Sequence, residues 1–447
     1  MSSPSLPRSR ATWLLGQHYN GDERRTLVLL AGTLALASGN AATIGAVAPQ
    51  VRQAFGVDNT AIGVLASAST AAAALATVPL GILVDRSART RLLAISAGLM
   101  GVVSVLSAVA PSFAFLFVTR LALGALSGVA GPGVASLIGD TFHESGRGRS
   151  YAAVLAGELI GAGAGFGVAG ELASVNWRAS FAALAPPALV LSFYLHRLRE
   201  PARGRTAASV GGQPRDDVVE SWRQLSLART VKYVLSVPTN VIFIFSAACT
   251  YFYFSGLRTF GVEYATEQYK VSQAVATAMF LLVGTGGLAG VLVSGRLGDR
   301  LEARYASGRV LVAMVALFGA AAAFVPAILI QSYAIGLPLM MAGAFGLAAA
   351  TPPLSAGRLQ VMPSGLWGRA EGVQGILRQV GDTMGPFAFG FAGDHLAGGG
   401  RAGLQSSFLI MLGSLVTAAA VLVLALRTYP HDVEAAHAAL RQPPPVV

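Results

Sequence analysis

Four ionisable side chains stand where the chain is otherwise apolar: Arg120, Glu158, Arg378 and Asp382. Charge in such surroundings is costly, so each needs a partner or a task. Glu158 lies nine residues beyond Arg149, about 13 Å along a helix at roughly 1.5 Å per residue. A carboxylate there can carry a proton, because desolvation raises its pKa and an approaching cation lowers it. The alternative is a carboxylate buried only to pair with an Arg or to bond neighbouring hydroxyls. Gln374, Arg378 and Asp382 recur every four residues and share one helix face, with Asp382 a second proton carrier. Glu158 and Arg378 can pair across a closing cavity; a local Arg378–Asp382 pair is the alternative. Arg120 can attract an anionic headgroup or oppose protonation of a nearby acid, or it can merely satisfy backbone carbonyls. Asn40, Tyr251 and Tyr253 are further polar groups for a cavity wall, although a Tyr serves equally as packing.

A second constellation is repeated. Gly81-Ile82-Leu83-Val84-Asp85-Arg86 closes one apolar run, and Gly295-Arg296-Leu297-Gly298-Asp299-Arg300 closes another about 214 residues later. The Gly permits close helix contact; the Asp-Arg sits just outside the apolar run. Gly146-Arg147-Gly148-Arg149 and Leu366-Trp367-Gly368-Arg369 form another pair at nearly the same offset. Two motifs at one offset indicate two related halves.

The elements that position these residues follow from composition. The chain has 447 residues, 54% hydrophobic and 12% charged, with a mean hydropathy of +0.61. That is too apolar for a water-soluble protein of this length, so the solvent is lipid. About twelve stretches, the first near 27–49 and the last near 404–427, can each cross a bilayer as a helix of roughly 20 residues. Continuous rather than alternating apolar runs exclude a barrel. The expected organisation is an N-terminal tail (1–26), a six-helix bundle (27–196), a linker (197–237), a second six-helix bundle (238–427) and a C-terminal tail (428–447). The fold class is all-α, with twelve spans in two pseudo-symmetric bundles.

Net charge is +11, but its placement does not form a nucleic-acid surface. Arg24, Arg25, Arg86, Arg89, Arg91, Arg147, Arg149 and the linker arginines fall on one side; Arg52, Arg178, Arg258, Lys270 and Arg401 fall on the other. That asymmetry places both termini in the cytoplasm of a multi-pass plasma (inner) membrane protein. The first 25 residues lack an apolar core, so no cleaved signal peptide is expected. Residues Trp222 to Leu235 suggest an amphipathic helix on the inner leaflet, and the tail from His431 is expected to be disordered. Cys249 is the single cysteine and the six His are scattered, so neither a disulfide nor a metal site is expected, and no cofactor.

At this point the residues resemble the major facilitator superfamily over essentially the whole chain. The Gly81–Arg86 loop is similar to the family's Gly-x-x-x-Asp-Arg signature, with Ala88 where a Gly is usual. Leu116-x-x-x-Arg120-x-x-x-Gly124 is similar to its intramembrane-Arg signature. The resemblance implies that spans one and seven line a cavity. It also implies that Asp85 and Asp299 grip the starts of spans eleven and five when the cytoplasmic side closes.

Ser136-Leu137-Ile138-Gly139-Asp140, Asn176-Trp177-Arg178-x-x-Phe181 and Glu200-Pro201-Ala202-Arg203-Gly204 resemble the Spinster-type lysolipid exporters. Span one, however, has Gly39-Asn40 and no acid, and Ser127 stands where that family has a Glu. Gly161-x-x-x-Gly165-Phe166-Gly167-x-x-Gly170 is similar to a span-five motif of drug–proton antiporters, with Phe166 in the Pro position.

No phosphate-binding Gly-x-x-x-x-Gly-Lys-Ser/Thr loop is present, and no nucleophile–base set lies in the spans, which argues against an ATP-driven pump or an enzyme. The expected function is a monomeric secondary transporter working by alternating access, with proton-coupled export of a lipophilic or amphipathic molecule, drug-like or a lysolipid. Uptake of an organic metabolite is the alternative, and a non-transporting receptor or scaffold is the rival of a different class.

Overall fold

In lipid a backbone has no water to bond, so each apolar run closes its own hydrogen bonds as a helix. The computed structural model describes residues 20–142, 144–201, 225–363, 366–396 and 398–439. Spans one to six are Gly21–Phe55, Asn59–Arg86, Arg89–Ala108, Phe113–Thr141, Glu144–Val175 and Trp177–His196. Spans seven to twelve are Pro238–Tyr269, Gln273–Glu302, Gly308–Leu329, Tyr333–Gln360, Trp367–Phe391 and Gly400–Ala439. Eleven of these are apolar enough to cross a membrane on that ground alone. Span eleven is the twelfth; its 25 residues include Arg369, Glu371, Arg378 and Asp382, which lower its hydropathy.

The helices overrun their apolar centres. Span one has 35 residues and starts at a capping box, Asn20 with Glu23. Span twelve has 40 residues and continues to Ala439, through the segment expected to be a disordered tail. The reason is packing: Tyr429, Asp432 and Ala436 are buried, and the Asp432 carboxylate accepts the Thr239 N–H of span seven at 2.9 Å. That bond serves one of the free donors at a helix start.

Two seams of small residues build the bundles. In spans one and five, Gly161 lies against the Ala35 backbone and Gly165 against Gly39. In spans seven and eleven, 220 positions later, Gly381 lies against the Ala248 carbonyl and Gly385 against that of Phe252. The glycine motif that resembles antiporters is therefore a packing seam, present in both halves, where backbones approach too closely for a side chain.

Each half also clasps an arginine at the start of its third helix. Arg89 is buried; it donates to Glu200 at 2.7 Å, to the Pro201 carbonyl at 3.0 Å, and to Asp140 and Ser136. Arg309 donates its backbone N–H to Glu302 at 3.0 Å and its side chain to Asp299 at 2.8 Å. Burial raises the Glu200 carboxyl, but the Thr90 N–H, the Arg89 guanidinium and the Thr90 hydroxyl outweigh it and hold the pKa below its usual 4.5. This clasp is complete above pH 4.5 and is lost as pH falls through the lowered value. Glu200→Gln should therefore speed hydrogen exchange of the Thr90 amide at neutral pH, and acid should do so in the wild type. Equal exchange at pH 7 would count against the clasp.

The linker helix, Leu227–Ser236, packs its buried Thr230 and Val234 against spans seven and eleven and leaves Arg229 exposed. Part of its apolar face is therefore covered by protein, while Leu235 stays exposed. Residues 222–224 of the expected amphipathic segment lie outside the described residues.

We call the end where the linker leaves the bundles the linker end, and the opposite one the far end. Among the described residues, all hydrogen bonds and ion pairs between the bundles lie in the far half. Arg52 meets Glu263 at 2.9 Å, Gln273 donates to the Ala46 carbonyl at 2.6 Å, and the Phe387 N–H donates to Ser67 at 3.1 Å. Phe166 stacks on Phe280 at 4.7 Å. Among the described residues, the bundles are joined at the far end.

Candidate functional site

A cavity of about 170 Å³ lies between the bundles. Asn40, Ala41 and Ile44 of span one, Ser69 and Thr70 of span two, and Arg120, Leu123 and Ser127 of span four form one wall. Arg258 and Thr259 of span seven and Gln379 and Asp382 of span eleven form the other. Most of the remaining lining is Ala and Gly.

Arg120 is 2% exposed. Its Nη2 donates to the Ser107 hydroxyl at 2.9 Å, and its guanidinium lies 4.4 Å from the centre of the Phe181 ring. Its Nε has no hydrogen-bond partner, and no carboxylate among the described residues pairs with it. Ser127 cannot compensate: it turns back to the Gly124 carbonyl at 2.6 Å. The cation is thus held by a hydroxyl and a ring face, not by the backbone carbonyls considered above. Asn40 donates to the Leu36 carbonyl at 3.1 Å and accepts from Ser104 at 3.3 Å.

Asp382 pairs with Arg258 at 3.4 Å, not with Arg378 one turn away. Arg378 instead donates to the Tyr251 hydroxyl at 2.9 Å and stacks over that ring at 4.3 Å. A planar guanidinium gains both contacts from one tyrosine, which the same-helix carboxylate does not offer. The cavity wall therefore carries two guanidiniums, Arg120 and Arg258, against one carboxylate, Asp382. Glu158 is half-buried and accepts from Ser38 at 3.3 Å. It is not paired with Arg378 in this conformation. Gln374 does not line the cavity, and its buried Oε1 is without a partner. Tyr253 is not in the wall either; it is fully buried between Phe324 and Phe389.

The sequence pattern of the Major Facilitator Superfamily matches residues 29–386. The chain belongs to this family. Among solved structures it is similar to a bacterial homolog of the human lysosomal transporter Spinster, inward-facing and unoccupied. The two share 19% identity and a TM-score of 0.82 over 93% of this chain and 99% of that one. It is also similar to the nucleoside transporter NupG (15%, TM-score 0.70, 91% and 100% covered). A D-xylose-proton symporter follows (15%, TM-score 0.65, 89% and 97% covered). At these identities the likeness is one of fold. No curated protein sequence gives a significant match.

The family's loop signatures sit at the linker end. Gly81 and Gly295 each lie 3.8 Å (measured to an added Cβ) from a proline ring, Pro132 and Pro352. That is ordinary contact, so the close approach expected of these glycines is not used in this conformation. Asp299 pairs with Arg309 of its own bundle, and the side chains at the start of span five lie outside those described. Arg86 and Arg300 are exposed. Asp85 ends span two, and its side chain lies outside those described.

The sequence reading missed several pairs. Arg258 was assigned to the outer side, yet it lines the cavity. Glu263, 1% exposed, lies inside span seven, which runs about five turns past Tyr251 to end at Tyr269. The buried Arg358 pairs with Glu371. Only an arginine within an apolar run, as at Arg258, offered a signal.

Proposed function

We propose that the protein is a secondary transporter that exports amphipathic organic molecules bearing an anionic or zwitterionic head, in exchange for protons. The observation that carries this reading is Arg120, a buried cation with no paired carboxylate among the described residues, in a cavity where polar side chains are interspersed with Ala, Gly, Ile44 and Leu123. A headgroup oxygen supplies what the arginine lacks, and the apolar wall takes the rest of the molecule. The excess of guanidinium over carboxylate disfavours lipophilic cations.

Both termini and the linker lie in the cytoplasm, so the cavity is reached from inside and the far end faces out. Arg86, Arg89, Arg91, Arg197 and Arg229 at the linker end support that orientation in the inner membrane. Glu158 is the proton carrier, with Asp382 released from Arg258 as the second. A monomer suffices, since both walls come from one chain. Uptake of a metabolite is the second reading, favoured by the likeness to a nucleoside transporter and a sugar–proton symporter.

The test is proton movement in proteoliposomes under an imposed pH gradient, with lysolipids, organic anions, amphipathic cations and sugars added in turn. Substrate-triggered flux should appear with the anionic amphipaths, with the sign of antiport, and should vanish in Glu158→Gln. Flux that survives in the variant moves the carrier to Asp382. Flux with the sign of symport establishes uptake. Substrate movement with no proton flux leaves a facilitator.

A further inference from the structure

Spans two and eleven cross at the far end with no room for a side chain: Gly63 lies against the Pro386 carbonyl and Gly390 against that of Asn59. Just beyond the crossing, Asp394 leaves the π-helical turn Ala392–Leu396 that ends span eleven. One of its oxygens accepts the Thr60 N–H at 2.6 Å and the Thr60 hydroxyl at 2.7 Å. The other accepts the Asn59 side-chain amide at 3.2 Å. The start of span two already has its own cap, since Asp58 accepts the Ala61 N–H at 2.8 Å. One helix start thus receives two carboxylates, one from each bundle. The second exists only while the bundles touch.

The matching seam, between spans five and eight, is built differently. It closes through the Phe166–Phe280 stack and the contact of Gly170 with Thr277. Glu171, near the end of span five, is exposed, and span eight is capped by its own Ser272. A charged grip on a helix start is therefore present at one seam of the two. A free N–H at a helix start, met by a carboxylate, is a strong but separable contact.

We infer that spans two and eleven form a two-ended switch in which Asp394 holds the far end shut by gripping the start of span two. The family resemblance assigns Asp85, at the other end of span two, the same action on the start of span eleven. Each helix then offers its start to the other's carboxylate, at opposite ends of the molecule. One grip forms as the other breaks, and alternation follows from their exclusion. Arg52 and Glu263, on spans one and seven, add an ion pair to the closed far end.

The test needs neither substrate nor protons, so its failure is distinct from that of the transport reading. Cys249→Ala gives a cysteine-free chain, and spin labels at Val175→Cys and Tyr333→Cys, both exposed far-end positions on opposite bundles, report far-end separation in nanodiscs. Asp394→Asn keeps shape and loses charge; it should raise the ratio of long to short distances roughly tenfold. Thr60→Val keeps the carboxylate and loses one donor, and should shift the ratio the same way by less. Asp85→Asn should shift it in the opposite sense. Unchanged distances in both Asp394→Asn and Thr60→Val overturn the switch; should Asp394→Asn not fold, Thr60→Val decides alone.

Discussion

Arg120→Met is expected to raise the thermal stability of the purified protein while strongly slowing transport of anionic amphipaths. The arginine is 2% exposed, and one hydroxyl and one ring face are its only partners among the described residues. An unpaired buried charge costs several kcal/mol, and a hydrogen bond to Ser107 with a cation–π contact returns about half of that. Met has similar length, no charge and the flexibility to fill the space against Phe181. We expect a gain of about 1–3 kcal/mol, read as a rise of a few degrees in the melting temperature. Transport should fall by roughly 10–100-fold, the worth of one charge-assisted contact to a headgroup. Arg120→Lys keeps the charge but not the planar stack and should fall between. A Met variant that transports at the wild-type rate would remove Arg120 from the substrate site. One that is markedly less stable would make the arginine a structural element.

The largest stability loss is expected at the glycine seams. A Cβ at Gly161 would meet the backbone of Ala35, and one at Gly381 the Ala248 carbonyl. Neither neighbour is a side chain that can turn away, so the helices must separate, and the cost extends along the whole seam. Gly161→Ala and Gly381→Ala should each lose about 1–3 kcal/mol, and the corresponding Leu variants should yield no monodisperse protein on size exclusion. Gly81→Ala is the control. Its Cβ would stand 3.8 Å from Pro132, so the melting temperature should be unchanged, and any defect should appear in transport alone. Equal losses at Gly81 and Gly161 would mean that the seams are not what holds each bundle together.

The architecture was legible because length and hydropathy act on the whole segment: a run of twenty apolar residues in lipid has few other options than a helix. The repeat was legible because both halves keep Gly, Asp and Arg at the same helix ends. What the sequence could not disclose was the choice of partner. The spacing of Gln374, Arg378 and Asp382 places them on one face, but it does not say that Arg378 prefers Tyr251 or that Asp382 turns to Arg258. Glu263 and Arg52 are 211 positions apart, and Asp394 and Thr60 lie 334 apart; only the meeting of two bundles joins them. The resemblance puts span seven on the cavity but does not say which face, and Tyr253 turns to Phe324 and Phe389 instead. The overrun of span twelve was hidden in Asp432, whose partner belongs to span seven.

The way the two ends of the linker are fastened has a consequence for how the gene can be cut. Glu200 and Pro201 are tied to the first bundle through Arg89, and the helix Leu227–Ser236 is seated on the second. Only residues 202–224 run between these anchor points, and a chain of that length spans far more than the gap between neighbouring helices, at roughly 3.3–3.6 Å per residue when extended. The polypeptide should therefore survive division into two open reading frames within 202–224, with the separately made halves finding each other through the contacts of their own far ends.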